Sequence, residues 1–356
     1  MKRVAIIGIQ GVPAKYGGFE SLVENIIGEN CSSDVQYTVF CSGKDYNTHL
    51  KSYKGVILKY ISAFHANGIQ SVPYDILSMI KCLRGYDDSV ILGVSGCIFL
   101  PVLRLFYHKR LIINIDGLEH KRDKWGTLAK KFLRFSEAMA VRYADVVIAD
   151  NKGIQDYVKD TYNKVSALIA YGGDHAQRNL SEERQVQLIS KYGIVPGNYA
   201  VSLCRIEPEN NSDLICDVFA ECGKTLVFVG NWNNSQYGRL LKKKYEMYHN
   251  IKMVDAIYDL DELYALRNQC SCYIHGHSAG GTNPSLVEAM FFGKPILTYD
   301  VVYNRETTEN KAFYFKNKEQ LKELLNRNTN KNDTMREIAE RRYVWKYIAE
   351  QYEKLY

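Results

Sequence analysis

The sequence predicts an α/β protein built as two open, mostly parallel sheets in tandem, on three observations. Its 356 residues suffice for two domains at about 150 residues each. Short β-branched runs alternate with segments of helical period along the whole chain, which is the pattern of βαβ units. The alternation halts once, at Tyr171-Gly172-Gly173-Asp174, a turn-rich tetrapeptide, and then begins again. The expected boundaries are a first domain over 1–174, a second over 175–330 and a terminal helix in 331–356.

In the first half, strands are expected at Arg3–Gln10, Gln36–Ser42, Val56–Ile61, Val90–Val94, Leu111–Asp116, Val146–Asp150 and Val165–Ala170. Helices fall between them, notably Gly18–Ile27 and Gly126–Tyr143. In the second half the expected strands are Tyr199–Cys204, Leu226–Val229, Lys252–Val254, Cys272–His275, Ile296–Thr298 and Ala312–Phe315. The helices are Glu182–Tyr192, Asp213–Glu221, Gln236–Tyr248, Leu260–Gln269, Pro284–Phe292 and Glu319–Asn326. A last helix, Thr334 to Lys354, has no strand after it and is expected to pack back on the first domain. Ligands of such sheets bind outside the carboxyl ends of the strands, so two domains of this kind are expected to share one cleft.

Composition excludes several classes. Hydrophobic residues are 46% and charged residues 24%, with 7 Pro, which is the composition of a folded chain. The 46 Lys+Arg against 40 Asp+Glu leave +6, too weak to indicate nucleic acid, and no recognised nucleic-acid module accompanies it. The excess is local, because nine basic residues and three acids lie between Pro101 and Arg134 and account for all of it. The start, Met1-Lys2-Arg3 before Val4-Ala5-Ile6-Ile7-Gly8, reads as a charged lead into a buried strand rather than a signal peptide, so a cytoplasmic location is expected. Nine Cys without a CxxC pair suggest neither a disulfide framework nor a zinc ribbon. The most apolar stretch, Ser89 to Leu103, is broken by Gly93, Gly96 and Pro101 and falls short of the roughly 20 residues a bilayer span requires.

Four motifs carry chemistry. The first βα loop, Gly8-Ile9-Gln10-Gly11-Val12-Pro13-Ala14-Lys15-Tyr16-Gly17-Gly18-Phe19-Glu20, sets glycines at a helix N-terminus, where backbone N–H groups and the helix dipole suit a diphosphate; the alternative is a tight turn only. Its spacing is not GxGxxG, and strand two ends Phe40-Cys41-Ser42-Gly43 without an acid for a ribose, which counts against a dinucleotide oxidoreductase. The second motif runs from His277 through Gly280-Gly281-Thr282-Asn283-Pro284 to Glu288. Thr282 or Asn283 caps the helix, and Glu288 is a costly carboxylate on an apolar helix unless sugar hydroxyls, or a structural Arg or Lys, bond to it.

The third is Arg205, which ends a strand where its fork can take two phosphate oxygens; a solvated surface Arg is the alternative. The fourth is Asp116-Gly117-Leu118-Glu119-His120, at another strand end, where Asp116, Glu119 or His120 can orient an attacking hydroxyl or the donor sugar; a capping Asp is the alternative. His275 and His277 lack a third ligand, so no metal is invoked.

These motifs, with Gly293-Lys294-Pro295 after Glu288-Ala289-Met290, resemble the retaining, nucleotide-sugar-dependent glycosyltransferases of family 4. The resemblance implies the GT-B fold, two tandem Rossmann-like domains facing a central cleft. More narrowly, Gly8 through Pro13 with Tyr16 through Glu20, Asp116 through Glu119, and His277 through Glu288 resemble the rhamnosyltransferase branch of bacterial capsule and O-antigen clusters. The resemblance implies a donor, dTDP-rhamnose in the narrow branch, bound by Gly17, Gly18, Arg205, Asn210, His277, Gly280, Gly281, Thr282, Asn283 and Glu288. It implies catalytic roles for Arg205, Glu288 and Asp116 and an acceptor side of Asp116, Glu119 and His120, with no cofactor or metal. Two departures stand out: Gly280 occupies the place of the family's first acid, and Asn210 that of a Lys. A 6-deoxy sugar, with fewer hydroxyls to read, fits the missing acid.

The implied acceptor is a saccharide on a polyprenyl diphosphate at the inner leaflet. That gives the basic segment a purpose, because Lys124, Trp125, Lys130, Lys131 and Arg134 mix cations and aromatics as an interfacial helix does; the alternative is a solvated helix face. Nucleotide-sugar 2-epimerases share this architecture, and a non-catalytic saccharide or nucleotide binder is the third possibility.

Overall fold

In the computed structural model, Lys2–Ile7 (β1) lies at the middle of the first sheet, and its residues from Val4 onward are buried. Such a strand reads as a continuous apolar run because both faces are covered. The structure describes residues 1–15, 17–29, 32–122, 125–327 and 333–356. It comprises two units, one of Met1–Tyr171 with Trp345–Tyr356 and one of Gly172–Val344.

In unit 1, β1 is followed by Gly18–Glu29 (α1), Val35–Ser42 (β2), Ser52–Tyr53 (β3), Val56–Ile61 (β4), Ser71–Lys81 (α2) and Asp88–Leu92 (β5). Then come Leu100–Leu103 (α3), Arg110–Asn114 (β6), Thr127–Tyr143 (α4), Val146–Ala149 (β7), Lys152–Tyr162 (α5) and Ala167–Leu168 (β8). The sheet order is β3-β4-β2-β1-β5-β6-β7-β8. Every pairing is parallel except β3 with β4. The order reverses between β1 and β5, where Val4 pairs with Tyr37 on one side and Asp88 on the other.

Unit 2 holds Glu182–Ser190 (α6), Ala200–Leu203 (β9), Ser212–Cys222 (α7), Leu226–Val229 (β10), Gln236–Tyr245 (α8), Ile251–Val254 (β11), Leu260–Asn268 (α9) and Cys272–His275 (β12). Pro284–Met290 (α10), Ile296–Tyr299 (β13), Val302–Thr307 (α11), Phe313–Phe315 (β14), Lys318–Asn326 (α12) and Thr334–Arg342 (α13) follow. Its all-parallel sheet runs β11-β10-β9-β12-β13-β14, reversing between β9 and β12. Phe219, Phe228 and Trp232 anchor its core.

Two expectations need correction. The strand expected over Val165–Ala170 is only the two residues of β8. The single helix expected at the chain's end is two, α13 in unit 2 and Trp345–Glu353 (α14) in unit 1, so 333–344 do not join the last helix. Arg342 is salt-bridged to Glu306 and Glu309, and buried Tyr343 donates to the Thr307 carbonyl at 2.9 Å, which pins α13 to its own unit. The backbone leaves the helical region at Tyr343, and α14 then buries Trp345, Ile348, Ala349 and Tyr352 in the core of unit 1. No helix among the described residues is long and apolar enough to cross a membrane.

Candidate functional site

In unit 2 the loops leaving β9 and β12 meet at the strand reversal, the place where open α/β sheets bind ligands. Arg205 is exposed there, and its guanidinium has no partner among the described residues. The two loops are bolted together beneath it. Asn210 is buried, donates its amide to the Arg205 carbonyl at 2.7 Å and receives His277 Nδ1 at 2.7 Å. Ser278 donates through both N–H and hydroxyl to the Glu209 carbonyl, each at 2.8 Å. Asn210, which replaces a cation, therefore acts as a neutral brace.

Gly280 has φ +114°, and a Cβ there would lie 3.1 Å from His277 Nε2. A carboxylate side chain at this position would need both a strained backbone and a displaced imidazole. The missing first acid is thus built into the loop. The N–H groups of Gly280 and Gly281 have no hydrogen-bond partner among the described residues. Thr282 is buried, and of the two expected caps Asn283 is the one used, accepting from Ser285 N–H at 3.0 Å. Pro284 begins α10, and Gly293, with φ +59°, closes the turn after it.

Glu288 is paired within the protein. Arg267 of α9, itself buried, donates to Oε2, and His175 lies 3.4 Å from Oε1. Burial acts to raise the Glu288 carboxyl, but the Arg267 charge and the His175 contact outweigh it and hold it below the usual carboxylate range. The structural-arginine alternative is therefore realised in the unliganded chain, and Arg267 and His175 join the candidate site. Neither was legible as its partner, since Arg267 is on another helix and His175 follows the Tyr171-Gly172-Gly173-Asp174 turn. Glu209 was also missed: it is buried on the Arg205 loop, and its Oε2 has no hydrogen-bond partner among the described residues.

In unit 1 the glycine loop after β1 differs from its expectation. Gly17 has φ +129°, and a Cβ on it would collide with Glu20 Oε2. Glu20 reaches back from the first turn of α1 and accepts the Gln10 N–H at 2.8 Å. The anion place at Gly17 and Gly18 is thus filled by the chain's own carboxylate. Burial, with the nearby Asp116 charge, pushes the Glu20 carboxyl up.

Asp116 takes a left-handed conformation, φ +61°, with its N–H held by Asn114 Oδ1 at 3.0 Å. Asn114 donates in turn to Tyr352 of α14 at 2.9 Å. Asp116 is thus a backbone corner fixed from β6 and not a helix cap. Buried Arg122 lies 3.8 Å from Asp116 and 3.0 Å from Glu119, whose other oxygen accepts Trp125 Nε1 at 3.0 Å. His120 instead faces buried Glu137 of α4, at 3.0 Å.

The basic segment is sorted by burial. Lys124 lies outside the described residues, Trp125 is half-buried against Glu119, and Lys130 is half-buried with a partner. Lys131 and Arg134 are exposed beside Leu128, 84% exposed, and Phe135, 52% exposed. The one acid of α4, Glu137, is buried, so the exposed residues Thr127, Leu128, Lys131, Arg134, Phe135 and Arg142 include no anion. Among the described residues no group of three or more His, Cys, Asp or Glu is placed to hold a metal.

Residues 1–174 match a family described as a domain of unknown function, DUF1972, and residues 187–345 match the family described as glycosyl transferases group 1. The curated proteins gave no match. Among solved structures, a sucrose-phosphate synthase from Thermosynechococcus elongatus is similar over 100% of this chain and 98% of its own, with 15% identity and a TM-score of 0.84. Anabaena HepE in complex with UDP-glucose is similar over 100% and 99%, with 16% identity and a TM-score of 0.77. The catalytic domain of starch synthase IV from Arabidopsis thaliana, bound to ADP and acarbose, covers 99% and 98% at 12% identity and a TM-score of 0.70. These likenesses establish the GT-B fold.

Proposed function

From a chain whose residues 187–345 are a group 1 glycosyl transferase domain, we propose a retaining transferase that moves L-rhamnose from dTDP-rhamnose to a polyprenyl-diphosphate-linked saccharide. The observation that carries the reading is an Arg205 guanidinium and Gly280 and Gly281 N–H groups without partners among the described residues, on two loops joined through Asn210 and His277. Departure of the nucleoside diphosphate leaves charge on its terminal oxygens. A preorganised cation and N–H donors stabilise that charge better in the transition state than in the ground state, so no metal is required in this reading.

Glu288 receives the ribose hydroxyls, because a carboxylate offers about four acceptor positions and Arg267 and His175 leave some of them. Asn210 and His277 act on the donor through the loop they brace. Gly280 favours a 6-deoxy sugar, since the loop around it leaves little room for an acid that would read a further hydroxyl. Anabaena HepE binds UDP-glucose and the Arabidopsis starch synthase binds ADP, so a UDP- or GDP-sugar is the competing donor class. The acceptor side is Asp116, Glu119 and His120. The exposed face of α4, with Leu128, Lys131, Arg134 and Phe135, supports a reading in which the enzyme works against the cytoplasmic surface of the membrane.

Thermal-shift measurements with nucleoside diphosphates and their sugars test the donor. A ligand at 100 times its Kd stabilises by about 2.7 kcal/mol, so preference is readable as a midpoint rise. The expected outcome is the largest rise with dTDP or dTDP-rhamnose. Preference for UDP or GDP species overturns the rhamnosyl assignment and leaves the transferase.

A further inference from the structure

β11 is the outermost strand of unit 2 and pairs only with β10 among the described strands. In that ladder the Leu226 N–H donates to the Asn250 carbonyl at 2.9 Å and the Gly230 N–H to the Val254 carbonyl at 3.0 Å. Successive residues of a strand turn their backbone groups to opposite sides, so those of Ile251 and Met253 face the open edge. The Ile251 N–H donates to the Tyr248 carbonyl at 3.0 Å, which leaves the Ile251 carbonyl and both groups of Met253 available. A cleft of about 510 Å³ follows this edge. It touches all four residues of β11, whose side chains alternate between faces, so it runs along the edge and not over one face. The volume is that of a small-molecule site, about 300–1,000 Å³.

One wall is the turn after α6. Lys191 donates to Glu262 Oε2 at 2.8 Å, Tyr192 donates to Oε1 of the same carboxylate, and the Lys191 ammonium lies 5.2 Å from the centre of the Tyr192 ring. A single buried acid of α9 thus fixes both side chains. Another wall is the turn after α8, where half-buried Tyr248 sets its ring 6.1 Å from that of buried Tyr245. Glu246, His249 and Lys252 complete the lining, and none of their side chains has a hydrogen-bond or ion-pair partner among the described residues.

These groups select the ligand. Lys191 is already paired with Glu262, and Glu246 offsets Lys252, so the cleft has no cationic excess to hold a phosphate. An apolar ligand would strip water from Glu246, His249 and Lys252 and return no hydrogen bond. A neutral ring rich in hydroxyls meets both demands. Its C–H face covers a tyrosine ring, and its hydroxyls donate to Glu246 and accept from Lys252 and the Met253 N–H. We propose that the cleft along β11 binds a neutral oligosaccharide, apart from the loops that carry Arg205 and Glu288. The binding stands on the lining alone; that the ligand is a stretch of the saccharide being built rests on the glycosyl-transfer reading.

The test is hydrogen exchange of the full chain, read at the Met253 amide and its neighbours. The probes are neutral tetrasaccharides of L-rhamnose, D-mannose and D-glucose up to about 10 mM, with inorganic phosphate beside them. At least one tetrasaccharide should slow exchange along β11. Hydrogen bonds to charged groups are the strong ones, so E246Q and K252Q should each weaken that protection about tenfold or more, with unchanged melting curves. Y248A should weaken it as well, and where Y248A does not fold the two polar variants decide. Thermal shifts with dTDP should be the same in all the chains. Protection by no tetrasaccharide, protection that survives E246Q and K252Q, or protection by phosphate instead overturns the proposal. A chain that transfers sugar with β11 unprotected overturns this proposal alone, and a chain that binds the tetrasaccharide here yet transfers from no nucleotide-sugar overturns the transferase reading alone.

Discussion

Around their reversals, between β1 and β5 in unit 1 and between β9 and β12 in unit 2, the two sheets share one parallel arrangement, yet their carboxyl edges are chemically opposite. Unit 2 offers an exposed, unpaired Arg205 and open glycine N–H groups. Unit 1 gathers Glu20, Asp116, Glu119 and Glu137 and answers them with Arg122, His120 and tyrosines. The same topology thus makes a receptive anion site in one case and an internally neutralised, hydrogen-bonding rim in the other. Fold alone fixes where a ligand lies, and loop side chains fix its charge.

The contrast can be broken most severely at Arg267. Removing it leaves Glu288 a poorly solvated anion, and breaking a buried pair from one side costs about 3–5 kcal/mol. Arg267→Ala should lower the melting midpoint of unit 2 and spare unit 1, as followed by hydrogen exchange; protection of unit 2 equal to that of the wild-type chain would show the pair to be dispensable. Arg205→Ala should leave the fold intact and cost about 10² to 10³ in turnover. Unchanged turnover would remove Arg205 from the reaction and with it the sign difference between the edges.

Acidity should separate the units next. In unit 1, burial pushes the Asp75 carboxyl up to about 8, against hydrogen bonds from Gly96 and Ser95. The folded state then holds a proton that the unfolded chain releases above about 4, so stability falls as pH rises toward 8, by at most about 1.4 kcal/mol per pH unit. In unit 2, burial holds His275 down at about 3, so the unfolded chain takes up a proton first and stability falls as pH drops below about 6.5. Asp75→Asn should remove the loss of stability between about pH 4 and 8 and leave the His275-dependent loss below about 6.5 in place. The smallest effect is expected on vesicles of anionic lipid. Each exposed cation contributes about 1 kcal/mol, so Lys131→Gln and Arg134→Gln should each weaken sedimentation roughly fivefold. Binding indifferent to both returns α4 to an ordinary solvated face.

What the sequence disclosed was local. The strand before Arg205, the Asn283 cap, Pro284 and the Gly293 stop all lie within a few residues of the signal that announces them. The alternation of strand and helix sufficed for every strand of both sheets but the two-residue β3, because burial on two faces dictates short apolar runs. The partners of charged groups were not legible. Arg267 meets Glu288 from another helix, Tyr157 and Tyr162 meet Glu137 across α4 and α5, and Tyr352 supports Asn114 from 238 residues away. Periodicity reports which face is buried and is silent on which donor waits there. Glu20 shows the converse error, since glycines that suit a phosphate equally suit a carboxylate from the next turn.

The division of the last two helices has a consequence for biosynthesis. Unit 1 is discontinuous: α14 is encoded after all of unit 2, yet it buries Trp345 and Tyr352 in a core shared with Leu22 and Ile26 of α1. During translation at about 5–20 residues per second, the apolar surface that receives α14 stays uncovered for on the order of tens of seconds while the whole of unit 2 emerges. Domain order along the chain and order of completion are therefore inverted. The nascent first half is the part in need of protection, and the second half is the first to be finished.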